Sequence, residues 1–81
     1  MDYMMWMNEA ISKTGSLKNN IVFHLKDLFD DDKWSSLSKG ERQNFGKYFK
    51  NEVKEGHVPN VNFVVEETKN GSAKYKKEVM N

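Results

Sequence analysis

The sequence predicts an α+β fold, and three features carry the prediction. Two stretches, near residues 3–13 and 38–55, place apolar residues at helical spacing. A short β-branched and aromatic run, Ile21, Val22 and Phe23, stands between them. Beyond Pro59, two further β-rich runs flank Asn70 and Gly71, a pair whose residues both tolerate the positive φ that a tight hairpin turn demands. Helix, short strand, two helices and a C-terminal hairpin is therefore the expected order.

Taken in order, Asp2 is placed to cap a first helix over about residues 3–13. Tyr3, Met4, Trp6, Met7, Ala10 and Ile11 fall in one arc of its wheel, Met5 is the outlier, and Gly15 supplies the stop. The brief strand at Ile21 to Phe23 leads into a second helix over His24 to Phe29, one to two turns long. The acidic run Asp30, Asp31 and Asp32 is expected to end it before Trp34 and Leu37 return to the core. Ser38 with Glu41 three positions on forms a capping box for the third helix, which runs over about residues 38–55 and stops at Gly56. At about 100° per residue, Phe45, Phe49 and Val53 share a face with Gly46 and Arg42, while Gln43, Lys47, Lys50 and Lys54 cluster on the opposite side. The hairpin spans about residues 61–79. With Asn70 and Gly71 as its loop, Glu67 would lie across from Lys74 and Glu66 across from Tyr75.

Eighty-one residues make a single domain, 1–81, with a thin core. There is no cysteine, so disulfides and thiolate metal sites are excluded and a reducing, cytoplasmic setting is expected. The opening residues MDYMMWMNEA carry an acid and early polar breaks, which fits neither a signal peptide nor a membrane span. Thirteen basic and twelve acidic side chains nearly cancel, but unevenly. Residues 1–34 hold four Lys against six acids, whereas residues 35–81 hold eight Lys and one Arg against six acids. The second half is the basic one.

This element order is that of a winged helix-turn-helix, with the early strand pairing with the hairpin. The lysines on the back of the third helix and those of the hairpin are then expected to adjoin one another. Such a surface suits duplex DNA. Lys47, Lys50, Lys54, Lys69, Lys74, Lys76 and Lys77 are the candidate phosphate contacts, and Gln43 and Asn44 the candidate readers of base edges, an amide being the usual partner of adenine.

The residues FHLKDLF at 23–29, Trp34, Leu37, Arg42, Gly46, Phe49, Val53 and KYKK at 74–77 resemble the pattern of a small bacterial family described as a domain of unknown function. The resemblance covers about two thirds of the chain and leaves the first twenty residues outside. Where that pattern has a polar, often glutamine-rich pair before KYKK, this chain has Ser72 and Ala73. The resemblance implies a short single-domain protein of bacterial, phage or mobile-element origin, and no catalytic or binding residues.

The remaining chemistry-bearing residues have structural readings. His24 and His57 have no nucleophile or cysteine beside them, so neither catalysis, a cofactor nor a metal is expected, and His57 reads as a solvated loop residue. The Asp30 to Asp32 run lacks the alternating oxygens and distal glutamate of a calcium loop. Arg42, on the apolar side, is expected to meet Asp27 or one of Asp30 to Asp32, because a lone buried charge is costly. Tyr75 is expected to pack across the sheet, with stacking on sugar or base as the alternative. Met4, Met5 and Met7 around Trp6 support a rival function: a protein-binding module, such as a phage or plasmid factor inhibiting a host protein, that uses this helix or the hairpin edge. The same helix is the candidate homodimer contact.

Overall fold

The computed structural model of the chain describes residues 2–67 and 72–79. Helix α1 (Tyr3–Gly15) starts as expected. The Asp2 carboxylate accepts the N–H groups of Met4 and Met5 at 3.1 and 3.2 Å, satisfying donors that the first helical turn leaves without a partner. Met7, Ala10 and Thr14 are its buried residues. Met4, expected on the apolar arc, is 71% exposed, and Met5 is 68% exposed. The buried stripe is narrower than the apolar arc, because Met7, Ala10 and Thr14 cluster within about 60° of the wheel and Met4 lies beyond them.

Strand β1 (Val22–Phe23) is followed by the short helix expected over His24 to Phe29, here a single 3-10 turn, Leu25–Leu28. The Asp27 carboxylate accepts the His24 backbone N–H at 2.9 Å and so closes that turn locally. One turn is enough to bury Leu25, Leu28 and Phe29. The acidic run then begins a helix instead of ending one: Asp30 is the N-cap, and Asp31 and Asp32 lie in the first turn of α2 (Asp31–Ser35). Carboxylates are favoured there by the positive end of the helix dipole. Helix α3 (Lys39–Lys54) agrees with the sequence reading in its capping box, in Gly56 at φ +81° just past its end, and in burying Phe45, Phe49 and Val53.

Strands β2 (Val61–Glu67) and β3 (Ser72–Lys77) complete a three-stranded antiparallel sheet in the order β1-β3-β2. The chain is thus α+β, with three α-helices and one sheet among the described residues. Asn70 and Gly71 lie outside the described residues. The register differs from the one expected: Glu67 faces Ser72, Glu66 faces Ala73, Val65 faces Lys74 and Phe63 faces Tyr75, with a bulge between Phe63 and Val65. Packing explains the difference. The expected register would set Glu66 beside the buried Tyr75, whereas the observed one sets Phe63 there, its ring edge-to-face with Tyr75 at 5.9 Å and 71°.

Tyr75 organises the core from the central strand. It also meets Phe49 of α3 at 4.9 Å and 85° and Phe23 of β1 at 5.9 Å. Lys77, two residues on and on the same face, is buried, and its ammonium donates to the Thr14 carbonyl in the last turn of α1. Helices α1 and α3 therefore both pack on the face that carries Tyr75 and Lys77. The other face presents the row Val22, Lys76 and Asn62, with Val22 54% exposed. Among the described residues no helix is long and apolar enough to cross a membrane.

Candidate functional site

Helix α3 supplies the candidate site. Burial of Phe45, Phe49 and Val53 turns the opposite side of the helix outward and leaves Gln43, Asn44, Lys47 and Lys54 exposed and Lys50 half-buried. Lys47, Lys50 and Lys54 come together with Asn51 around a shallow depression of about 210 Å³. From Lys47 to Lys54 the helix rises about 10 Å.

Phe63 of β2 forms the floor beside this stripe. The Lys50 ammonium lies 5.3 Å and the Lys54 ammonium 5.0 Å from the centre of its ring. Each contact is attractive because the face of the ring is electronegative, worth about 0.5–1 kcal/mol at exposed sites. On the side of α3 away from the lysines His57 Nδ1 meets Glu52 Oε2, and the loop histidine remains largely exposed, as read. Glu52 lies about 180° from Gln43 on the wheel, which keeps this carboxylate away from the lysine stripe. At the N-terminus the Ser38 N–H donates to Glu41 Oε1 at 2.9 Å, and the Glu41 N–H to the Ser38 hydroxyl oxygen at 3.1 Å. The backbone hydrogen bond from Ser38, reinforced by its side chain, holds the Glu41 carboxyl below its ordinary pKa.

The hairpin lysines do not join the stripe as expected. Lys77 is buried against Thr14, so it is withdrawn from any surface contact. Lys74 and Lys76 alternate with Tyr75, which packs on α3, and therefore lie on the other face of the sheet. Lys69 lies outside the described residues. Tyr75 itself is a core residue, too buried to stack on a ligand. Arg42 makes no ion pair with Asp27 or the acidic run; Asp27 is used to cap His24 instead. Two contributors were missed in the sequence: Asn51, four residues after Lys47 and beside the lysines on the wheel, and Phe63, which shares strand parity with Val61. The wheel contained the first signal. The second required the sheet to be placed against α3.

No group of three or more His, Cys, Asp and Glu that could hold a metal ion occurs among the described residues. The family described as a domain of unknown function (DUF1413) matches residues 8–77. The chain belongs to this family. The DUF1413 match starts well before the twenty-first residue and takes in most of α1, so the family unit includes the helix that Lys77 anchors to the sheet. It contains all of α3 and β2, hence every residue of the stripe. No curated protein and no solved structure matches the chain.

Proposed function

We propose that the chain is a non-enzymatic duplex DNA-binding protein of winged helix-turn-helix type, with α3 entering the major groove. One observation carries the reading: Gln43, Lys47, Lys50, Asn51 and Lys54 line the outward side of a rigidly packed helix, with three cations and two amides on one surface. Cations on one helix face neutralise phosphates, and amides on the same face can hydrogen-bond base edges. The element order and the β1-β3-β2 strand order support the fold assignment. Because Lys77 is buried and Lys74 and Lys76 lie across the sheet, the proposed interface is centred on α3. On this reading the chain acts in the cytoplasm as a regulator, its composition without cysteine suiting a reducing compartment.

A second reading, a protein-binding module or homodimer working through α1, is favoured by the exposure of Met4 and Met5 near the start of that helix. A gel-shift titration on mixed duplex DNA at two salt concentrations separates the two. Replacing Lys47, Lys50 and Lys54 together by Ala should weaken binding to every sequence and lower the salt slope by about 0.9 per lost phosphate contact. Gln43→Ala should instead cost about 1–3 kcal/mol on the preferred site and leave nonspecific binding nearly unchanged. Absence of duplex binding by the wild-type chain at low salt would sink the DNA reading in favour of the protein partner.

A further inference from the structure

Two like charges one helical turn apart repel, and on a bare helix Lys50 and Lys54 would be expected to splay. Here both ammoniums converge on one ring, 5.3 and 5.0 Å from the centre of Phe63. That ring does not choose its own orientation. It stands edge-to-face against Tyr75, which is wedged between Phe49 of α3 and Phe23 of β1, so the core sets the plane that the two cations meet. The bulge after Phe63 and the register that places Phe63 opposite Tyr75 fix the ring along the strand. Asn51 completes the lining of the depression beside the pair.

We infer that Phe63 is a positioning residue that holds Lys50 and Lys54 side by side as a preformed two-cation clamp for the phosphodiester backbone of duplex DNA. This inference rests on the DNA-binding reading for its ligand, while the geometry of the clamp stands on the free protein. Phe63 touches no phosphate. It acts by drawing both ammoniums over its electronegative face and so lowers the cost of gathering them when a phosphate arrives. A phosphate oxygen is the fitting ligand because it accepts hydrogen bonds from both ammoniums and from the Asn51 amide.

Phe63→Leu keeps the apolar bulk and removes the aromatic face; Phe63→Tyr keeps the face. In the free wild-type chain the ε-methylene proton signals of Lys50 and Lys54 should be shifted upfield by the ring current. In F63L they should return to the exposed-lysine position while the far-ultraviolet circular dichroism spectrum stays that of the wild type. With duplex DNA, F63L should weaken binding about two- to fivefold at every salt concentration, with the salt slope unchanged because both lysines still reach phosphate, and F63Y should restore the affinity. Unshifted Lys50 and Lys54 signals in the wild type, or F63L binding duplex DNA with wild-type affinity, would overturn the inference while leaving the DNA reading intact. Shifted signals in a wild-type chain that binds no duplex would uphold the positioning by Phe63 and overturn phosphodiester as its ligand, along with the DNA reading.

Discussion

Lys77 shows how much a single side chain's meaning depends on its place. In the sequence it is the last lysine of KYKK, one of a basic cluster. In the fold its stem follows the buried face of β3 and its ammonium reaches a carbonyl at the end of α1, where the negative end of the helix dipole favours a cation. A charged hydrogen bond of this kind contributes about 1.5–3 kcal/mol, so Lys77→Ala should destabilise the protein by that order while leaving the duplex binding proposed for α3, measured well below the melting temperature, unchanged. Urea denaturation and a gel shift on the same variant check both halves. Lys33 plays a related part elsewhere: its ammonium pairs with Glu9 at 2.8 Å and lies 4.9 Å from the Trp6 ring, joining α2 to α1. The pair is exposed enough that its contribution is small.

Among the elements, α3 is the one whose local chemistry and tertiary role agree throughout. Its capping box, apolar stripe and terminal Gly56 all call for the same helix, and that agreement explains why its boundaries and buried face could be read before any packing was known. The Ser38 and Glu41 box also makes a pH prediction. Because the folded Glu41 carboxyl titrates below the ordinary value of 4.5, its ionised form is favoured by folding. The stability it contributes is fully present above that value and is lost as pH falls through the lower, folded one. Glu41→Gln, which retains a capping acceptor without the charge, should therefore flatten the fall of melting temperature between neutral pH and about pH 3, as thermal scans at several pH values would show. The acidic run at 30–32 is the contrasting case. Its like charges suggest a break between elements, yet the same charges are welcome in a first turn, and only the placement of Trp34 and Phe29 against each other, ring centres 5.9 Å apart, decides for the helix.

For the whole molecule, the aromatic set around Tyr75 ties β1, β2, β3 and α3 into one unit, and Phe49 stands at its centre with no exposed surface. Phe49→Ala should cost about 3–5 kcal/mol, because the lost ring leaves a cavity lined by elements that cannot all collapse into it. A domain of this size has a stability of only about 5–15 kcal/mol, so the change should lower the urea midpoint seen by far-ultraviolet circular dichroism and by tryptophan fluorescence together. A cost below about 1 kcal/mol, the size expected at an exposed position, would contradict the burial of this face. The same unit explains how the candidate interface is made rigid: the lysine stripe lies on the back of a helix whose front is locked to the central strand.

What the sequence determined by itself is what local physics specifies. Asp2 and Ser38 cap helices because a side-chain oxygen satisfies nearby N–H groups, Gly56 ends one because it adopts positive φ, and Phe45, Phe49 and Val53 point inward because their spacing matches a helical turn. The cationic stripe of α3 was legible for the same reason. Strand register, the fate of each hairpin lysine and the place of Phe63 under Lys50 and Lys54 were not, because each depends on contacts between residues far apart in the chain. A strand's period of two says that Lys74, Lys76 and the pair Tyr75 and Lys77 lie on opposite faces, but not which face the helices cover. The tertiary structure decided that by seating Phe49 on Tyr75 and Thr14 on Lys77. Burial rewards aromatic contact on that face, and a lysine can join it only where a carbonyl is waiting to accept its charge.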